Sequence, residues 1–351
     1  MKKCEDGGVK SRRGAMAIAI PFAILALAWG PASRHVRAAR LLLDFSDARA
    51  TEIRSSDATV AGLRARVFRG DGPPLLLVHG AHPEGIDEPR LVRFAELLAE
   101  AGFDVTTPEI PALRALRFDD GAVDQIARAA RALGPHVGVV GISFGGGLAL
   151  IAASEEPSIH AVWTVGAHHD ATRLAAWWRG EPIAGPGGER FDAEAERYGA
   201  QVLAHAYAED YFDPAEADAA RAALADVLHR RAPDLEGLSA PTRARVDALR
   251  QGTGLDRAAL AALTERHRDE LSAISPAGHL SQLRARVFVL HGEGDPLVAP
   301  TESAWIAREL PPPARGAVLR TPLLGHADLA EVGLAAQWDV VRFAARALAE
   351  L

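Results

Sequence analysis

Ser143 stands in Gly141-Ile142-Ser143-Phe144-Gly145, between an apolar run, Val137-Gly138-Val139-Val140, and a stretch of helical character from Gly146 to Ala153. A serine hydroxyl is a poor nucleophile at neutral pH. It needs a base within hydrogen-bond reach and a third group that orients the base. A G-x-S-x-G turn between a buried strand and a helix is the setting of a nucleophile elbow. The tight turn holds the serine in a strained conformation, and the flanking glycines remove Cβ clashes between strand and helix. The helix N-terminus then sets partly positive N–H groups near developing negative charge. Downstream, Asp295 follows an apolar segment in Val289-Leu290-His291-Gly292-Glu293-Gly294-Asp295-Pro296. His326 follows in Leu323-Leu324-Gly325-His326-Ala327-Asp328. A serine, an acid and a histidine in such loops could perform acyl transfer through a covalent acyl-serine, with Ser143 attacking, His326 moving the proton and Asp295 orienting His326. The tetrahedral oxyanion needs N–H donors. Phe144, next after the serine, offers one, and Ala81, in His79-Gly80-Ala81-His82, offers the other.

The elements that must position these groups are legible as an alternation. Ala61 to Phe68 alternates apolar with charged residues, as a half-buried strand does, and Leu75-Leu76-Leu77-Val78 is a continuous apolar run, as a central parallel strand is. A helix is expected over Pro89–Ala101, a strand over Phe103–Thr106 and a helix over Asp119–Leu133. Strand 137–140, the elbow, helix 146–154 and strand 161–165 continue the β-α-β-α order of a parallel sheet with helices on both faces. Near Asp170 the alternation stops. From 171 to about 275 the chain is rich in Ala, Arg, Asp and Glu, with helical spacing and no convincing strand. It resumes with strands at 285–290 and 318–320 and a closing helix from Ala335 to Glu350.

At this point the chain resembles the α/β-hydrolase superfamily. The matching motifs are His79-Gly80, Gly141-Ile142-Ser143-Phe144-Gly145-Gly146, His291-Gly292 with Asp295-Pro296, and Gly325-His326, in the order Ser…Asp…His. The resemblance covers about residues 60–351. It implies an α/β-hydrolase fold, a mostly parallel central sheet with helices on both faces and a helical cap insertion. It also implies hydrolysis of an ester-like bond without metal or cofactor. The expected division is a signal peptide or N-terminal membrane anchor over 1–30, a linker or surface helix over 31–58, the hydrolase core over 59–170 and 276–351, and the cap over 171–275. All three tyrosines of the chain, Tyr198, Tyr207 and Tyr211, fall in the cap, beside Trp177 and Trp178. Ligands of open α/β sheets bind at the carboxyl ends of strands, where this block departs. Trp177, Trp178, Tyr207 and Tyr211 are therefore expected to line a pocket ceiling, and ordinary packing is the alternative.

Rival assignments remain open. Asp170, after strand 161–165, could replace Asp295 as the acid. His168-His169-Asp170 contains ligand types, but three consecutive side chains seldom converge on one ion. His79 and His291, each before a glycine, are expected to shape loops rather than transfer protons.

Composition narrows the classes further. The 351-residue chain carries a formal net charge of −7 and no basic stripe in its body, which argues against a nucleic-acid partner. Cys4 is the single cysteine, so an intramolecular disulfide and a cysteine-based zinc site are both excluded. Lys2, Lys3, Lys10, Arg12 and Arg13 precede an apolar run over residues 14–30, at the lower edge of what spans a bilayer. Ala26-Leu27-Ala28 offers a small-x-small cleavage site, whereas Trp29 suits a membrane interface. The expectation is export or membrane anchoring with the body outside the cytoplasm; a cytoplasmic protein is the alternative. The substrate expected is a small acyl ester with a neutral or apolar acyl group, cleaved by a carboxylesterase or lipase-like enzyme. The same triad serves acyl transfer, perhydrolysis and amide or thioester cleavage, and a non-catalytic binding protein could keep the fold.

Overall fold

A computed structural model describes residues 33–45, 51–325 and 333–351. The apolar run at 14–30, and with it the expected signal peptide or anchor, lies outside these residues, as does His326. Among the described residues no helix is long and apolar enough to cross a membrane.

Among the described residues the first element is helix α1 (33–45). The chain continues through β1 (Ser55–Val60), β2 (Leu63–Phe68), β3 (Pro74–Val78), α2 (Pro89–Glu100), β4 (Asp104–Pro108), the short α3 (Pro111–Arg114), α4 (Gly121–Leu133), β5 (Val137–Ile142), α5 (Phe144–Glu155) and β6 (Ile159–Val165). A helical block follows: α6 (Ala171–Trp178), a hairpin of β7 (Ile183–Ala184) and β8 (Arg190–Phe191), then α7 (Arg197–Ala206), α8 (Ala208–Tyr211), α9 (Ala217–Leu228), α10 (Ala240–Gln251), α11 (Arg257–Arg266) and α12 (Arg268–Ala273). The alternation then resumes with β9 (Arg286–Gly292), α13 (Thr301–Glu309), β10 (Arg315–Thr321) and α14 (Leu334–Ala347).

Eight strands form one sheet in the order β1-β2-β4-β3-β5-β6-β9-β10. β2 runs antiparallel to both β1 and β4, and every other pairing in that sheet is parallel. The two faces sort by the period of two. Leu76, Val78, Val137, Val139, Val287 and Val289 face a core shared with α4, α5 and α13. Leu75, Leu77, Val140, Phe288 and Leu290 face the opposite core, with α1, α2 and α14. Full burial of each such side chain contributes about 1.5–3 kcal/mol before entropy is counted. This is why β3 and β9 read as unbroken apolar runs rather than as alternating ones.

Residues 31–58, expected as a linker or a surface helix, hold the helix α1 and the edge strand β1. α1 buries Ala38 and Leu41 against the sheet, and the Arg93 guanidinium donates to the Asp44 carbonyl at 2.8 Å. β1 is an edge strand with no buried residue, so Ser55-Ser56-Asp57-Ala58-Thr59-Val60 carries no apolar alternation to read. It reaches β2 through a tight turn at Ala61-Gly62, where φ is +51° and +83°. The helical block also contains the strand pair β7–β8, only two residues each.

The block is fastened to the sheet at its point of departure. Glu302 on α13 is fully buried and accepts from the His169 and Asp170 amides at 2.8 and 2.9 Å and from Arg173 Nε at 2.8 Å. These donors replace the water that a fully buried carboxyl group gives up. Trp305 Nε1 and the Arg308 guanidinium donate to the Ala184 and Pro186 carbonyls, fixing the hairpin from the other side.

Candidate active site

β5 delivers Ser143 to the carboxyl edge of the sheet. The residue has φ +53° and ψ −127°, a conformation costing on the order of 1–3 kcal/mol for a non-glycine residue. Neighbouring bonds hold it there: Ser143 N–H donates to the Val165 carbonyl at 2.8 Å, and Gly146 N–H to the Ser143 carbonyl at 2.9 Å. The turn closes only because position 141 lacks a side chain, since a Cβ there would lie 2.5 Å from the Gly146 Cα. α5 starts at Phe144, whose amide, in the first turn, has no intrahelical acceptor.

The loop after β3 lies alongside, with a Cβ at position 80 reaching to 3.2 Å from the Ser143 Cβ. His79, 1% exposed, shapes this loop. Its Nδ1 donates to the Gly80 carbonyl at 2.8 Å and its Nε2 accepts from the Ile110 amide at 2.9 Å, which fixes a neutral tautomer. No hydrogen bond from the Ala81 amide is formed among the described residues. Ala81, Ser143 and Phe144 line one cavity of about 930 Å³.

Asp295 is fully buried behind this cavity, between Gly294 and Pro296, which line it. Asp295 Oδ1 accepts from the Leu297 and Val298 amides, both at 2.9 Å, so the loop after β9 fixes the carboxylate's orientation. Oδ2 lies 3.5 Å from His291 Nε2, which donates to the Val298 carbonyl at 2.8 Å. The chain leading to His326 passes directly over this loop. β10 pairs Thr321 with Gly292, and a Cβ at position 292 would lie 2.3 Å from the Leu324 and Gly325 carbonyl oxygens. Gly325 lines the cavity, and His326 follows it outside the described residues.

A family model of the alpha/beta hydrolase fold matches residues 73–331. The chain belongs to the alpha/beta hydrolase family. Solved structures of similar fold include a membrane phospholipase A described as a bacterial virulence factor, at 18% identity and TM-score 0.44, with 88% of this chain and 91% of that one covered. A 2-hydroxy-6-oxo-6-phenylhexa-2,4-dienoate hydrolase from Rhodococcus is 19% identical at TM-score 0.43, covering 77% and 92%. Dipeptidyl peptidase 4 of Porphyromonas gingivalis is 12% identical at TM-score 0.49, covering 86% and 36%. No curated protein matches. At these identities the likenesses carry nothing about substrate.

The helical block roofs the cavity. Tyr198 Oη donates to the Ala81 carbonyl at 3.2 Å, Trp178 Nε1 to the Leu297 carbonyl at 2.8 Å, and the Glu196 amide to the Pro296 carbonyl at 2.7 Å. The cap thus touches both loops beside Ser143. Of the aromatic residues expected in the ceiling, Trp178 lines the cavity and Trp177, Tyr207 and Tyr211 do not. Trp177 packs on Phe191 and donates to the Ala193 carbonyl; Tyr207 stacks on His267 with ring centroids 3.7 Å apart; Tyr211 lies 2% exposed beneath Arg245. These three build the cap's own core. Tyr198, one of the three cap tyrosines, also lines the cavity, and Gln201 is a lining residue that the sequence did not single out.

The rival acid is committed elsewhere. Asp170 caps α6, with Oδ1 accepting from the Thr172 amide and hydroxyl and from the Arg173 amide. Burial opposes its ionisation, but these bonds and the Arg173 charge hold it below the usual carboxylate range. The neighbouring histidines diverge: His168 Nε2 pairs with the Ile274 carbonyl and His169 Nε2 with Glu309. The three side chains therefore do not converge on one point.

Burial pushes the His79 imidazole from 6.5 down to about 4, against the pull of the Gly80 carbonyl and Glu109. His205 is pushed to about 4 by burial and by Arg221. Both are neutral when folded and take up protons on unfolding below pH 6.5. Their contribution to stability is therefore complete above pH 6.5 and declines as pH falls towards 4. For His79 it reaches on the order of 3 kcal/mol. Thermal melts between pH 7.5 and 4 should show a falling Tm, with a shallower slope in His79→Asn. An identical slope in the variant would contradict the assignment.

Proposed function

We propose that the protein is a serine hydrolase that cleaves a carboxylic ester through an acyl-serine intermediate. The observation that carries this reading is Ser143 at a positive-φ elbow on the wall of a roofed cavity, with the fixed, buried carboxylate of Asp295 behind it. Ser143 Oγ attacks the ester carbonyl while its proton passes to His326. The amides of Ala81 and Phe144 hold the oxyanion, in a site where donors already in place need no reorganisation. Collapse breaks the C–O bond, and His326 returns the proton to the departing alcohol. Water then attacks the acyl-serine by the same route and releases the acid. Asp295 orients His326 and stabilises the imidazolium that forms.

Support for Asp295 over Asp170 comes from position: the 324–325 segment crosses the Asp295 loop, whereas Asp170 is spent on the α6 cap. A panel of p-nitrophenyl esters of graded acyl length tests the reading. Saturable hydrolysis of at least one member, abolished by a fluorophosphonate, is expected. Folded protein that cleaves none of them would contradict it.

A further inference from the structure

The cavity mouth is charged, and unevenly so. Arg90, Arg197, Arg230, Arg231 and Arg250 line it against only Glu88 and Glu196, in a chain whose net charge is −7. Three of the five arginines are matched locally: Arg90 bonds to Glu88, Arg231 to Asp226 and Arg250 to Asp247, at 2.8–2.9 Å. Arg197 and Arg230 form no ion pair among the described residues. Their backbones are nonetheless placed. Arg197 opens α7, one residue before the tyrosine that bonds the Ala81 carbonyl, and its Cβ would meet a Cβ at Gly252 at 3.2 Å. Arg230 follows α9 with φ +58°, a conformation that glycine adopts at less cost.

We propose that this mouth recognises an anionic oxyacid group, carboxylate or phosphate, on the far end of the substrate whose ester is presented to Ser143. This rests on the ester-hydrolase reading above and deepens it, replacing the expectation of a neutral or apolar acyl group. Guanidinium forks match both oxyacids bidentately, and partial enclosure raises the attraction above its value in open water. The groups are exposed, so the effect is salt-dependent. His82, the other basic lining residue, is held neutral by burial, against the pull of Glu88 and Glu84, and adds no charge to the site near pH 7.

Two arms test this. In the first, calorimetry at low salt, run in the Ser143→Ala background so that the ester probe is not cleaved, measures binding of adipate, butyl phosphate and neutral dimethyl adipate. Adipate or butyl phosphate should bind at least about tenfold more tightly than dimethyl adipate, weaken with added NaCl, and weaken about tenfold in the folded Arg197→Glu/Arg230→Glu variant. Which anion binds more tightly assigns carboxylate or phosphate. In the second, kcat/KM is compared for the p-nitrophenyl monoester of adipic acid and its methyl-capped neutral counterpart. The anionic ester should be favoured, and the ratio should collapse towards unity in the variant. Anion binding without turnover of either ester would sink the hydrolase reading and leave the anion site standing. Equal binding of all three probes, or binding indifferent to the double charge reversal, would overturn the anion site whatever the esterase activity.

Discussion

Replacing Ser143 with alanine is expected to lower kcat for ester hydrolysis on the order of 10⁴–10⁶-fold while leaving the fold and thermal stability near those of the parent. The loss is large because, in the proposed mechanism, serine, histidine and aspartate act as a unit. Without Oγ there is no atom to form the acyl intermediate, and the oxyanion donors and the cavity alone supply the residual rate. The fold should persist because the bonds that hold the elbow are made by the backbone of residue 143 and by Gly146. Binding of uncleaved substrate should remain, so kcat should fall far more than KM changes. Esterase activity undiminished in the alanine variant would remove the proposed nucleophile.

The second large effect is expected at Asp295. Asparagine keeps the volume, and the Leu297 and Val298 amides dictate how it sits, with its carbonyl oxygen towards them. Its NH₂ then occupies the place of the carboxylate oxygen Oδ2. In the proposed mechanism a donor there favours the wrong tautomer of His326 and gives no stabilisation to an imidazolium, at a cost of roughly 10⁴ in kcat. Asp170→Asn is the matched control. Asparagine caps a helix about as well as aspartate, so that change should alter activity and stability little. Steady-state kinetics on both variants decide the matter: a crippled Asp170→Asn and a mild Asp295→Asn would move the acid to the loop after β6.

The parts of the fold that the sequence disclosed are those with a one-dimensional signature. Leu75–Val78 and Val287–Leu290 are buried on both faces and so cannot alternate; the elbow has fixed spacing because its glycines answer a clash a few residues away. β1 lacked any such mark, since an edge strand with no buried residue needs only hydrogen bonds to β2. The aromatic residues of the cap misled for a related reason. A pocket ceiling and a helical core both ask for large apolar surfaces, and only packing separates Trp178, which faces the cavity, from Trp177, Tyr207 and Tyr211, which do not. The arginine mouth could not be read at all. Its members come from α2, α7, the segment after α9 and α10, and only folding gathers them.

Labelling with a fluorophosphonate followed by peptide mapping tests the central claim most directly. The probe reports an activated serine independently of which ester the cavity accepts. A stoichiometric adduct is expected on the peptide bearing Ser143, lost in Ser143→Ala and strongly slowed in Asp295→Asn. A folded protein that stays unlabelled, or an adduct mapped to another serine, would contradict it.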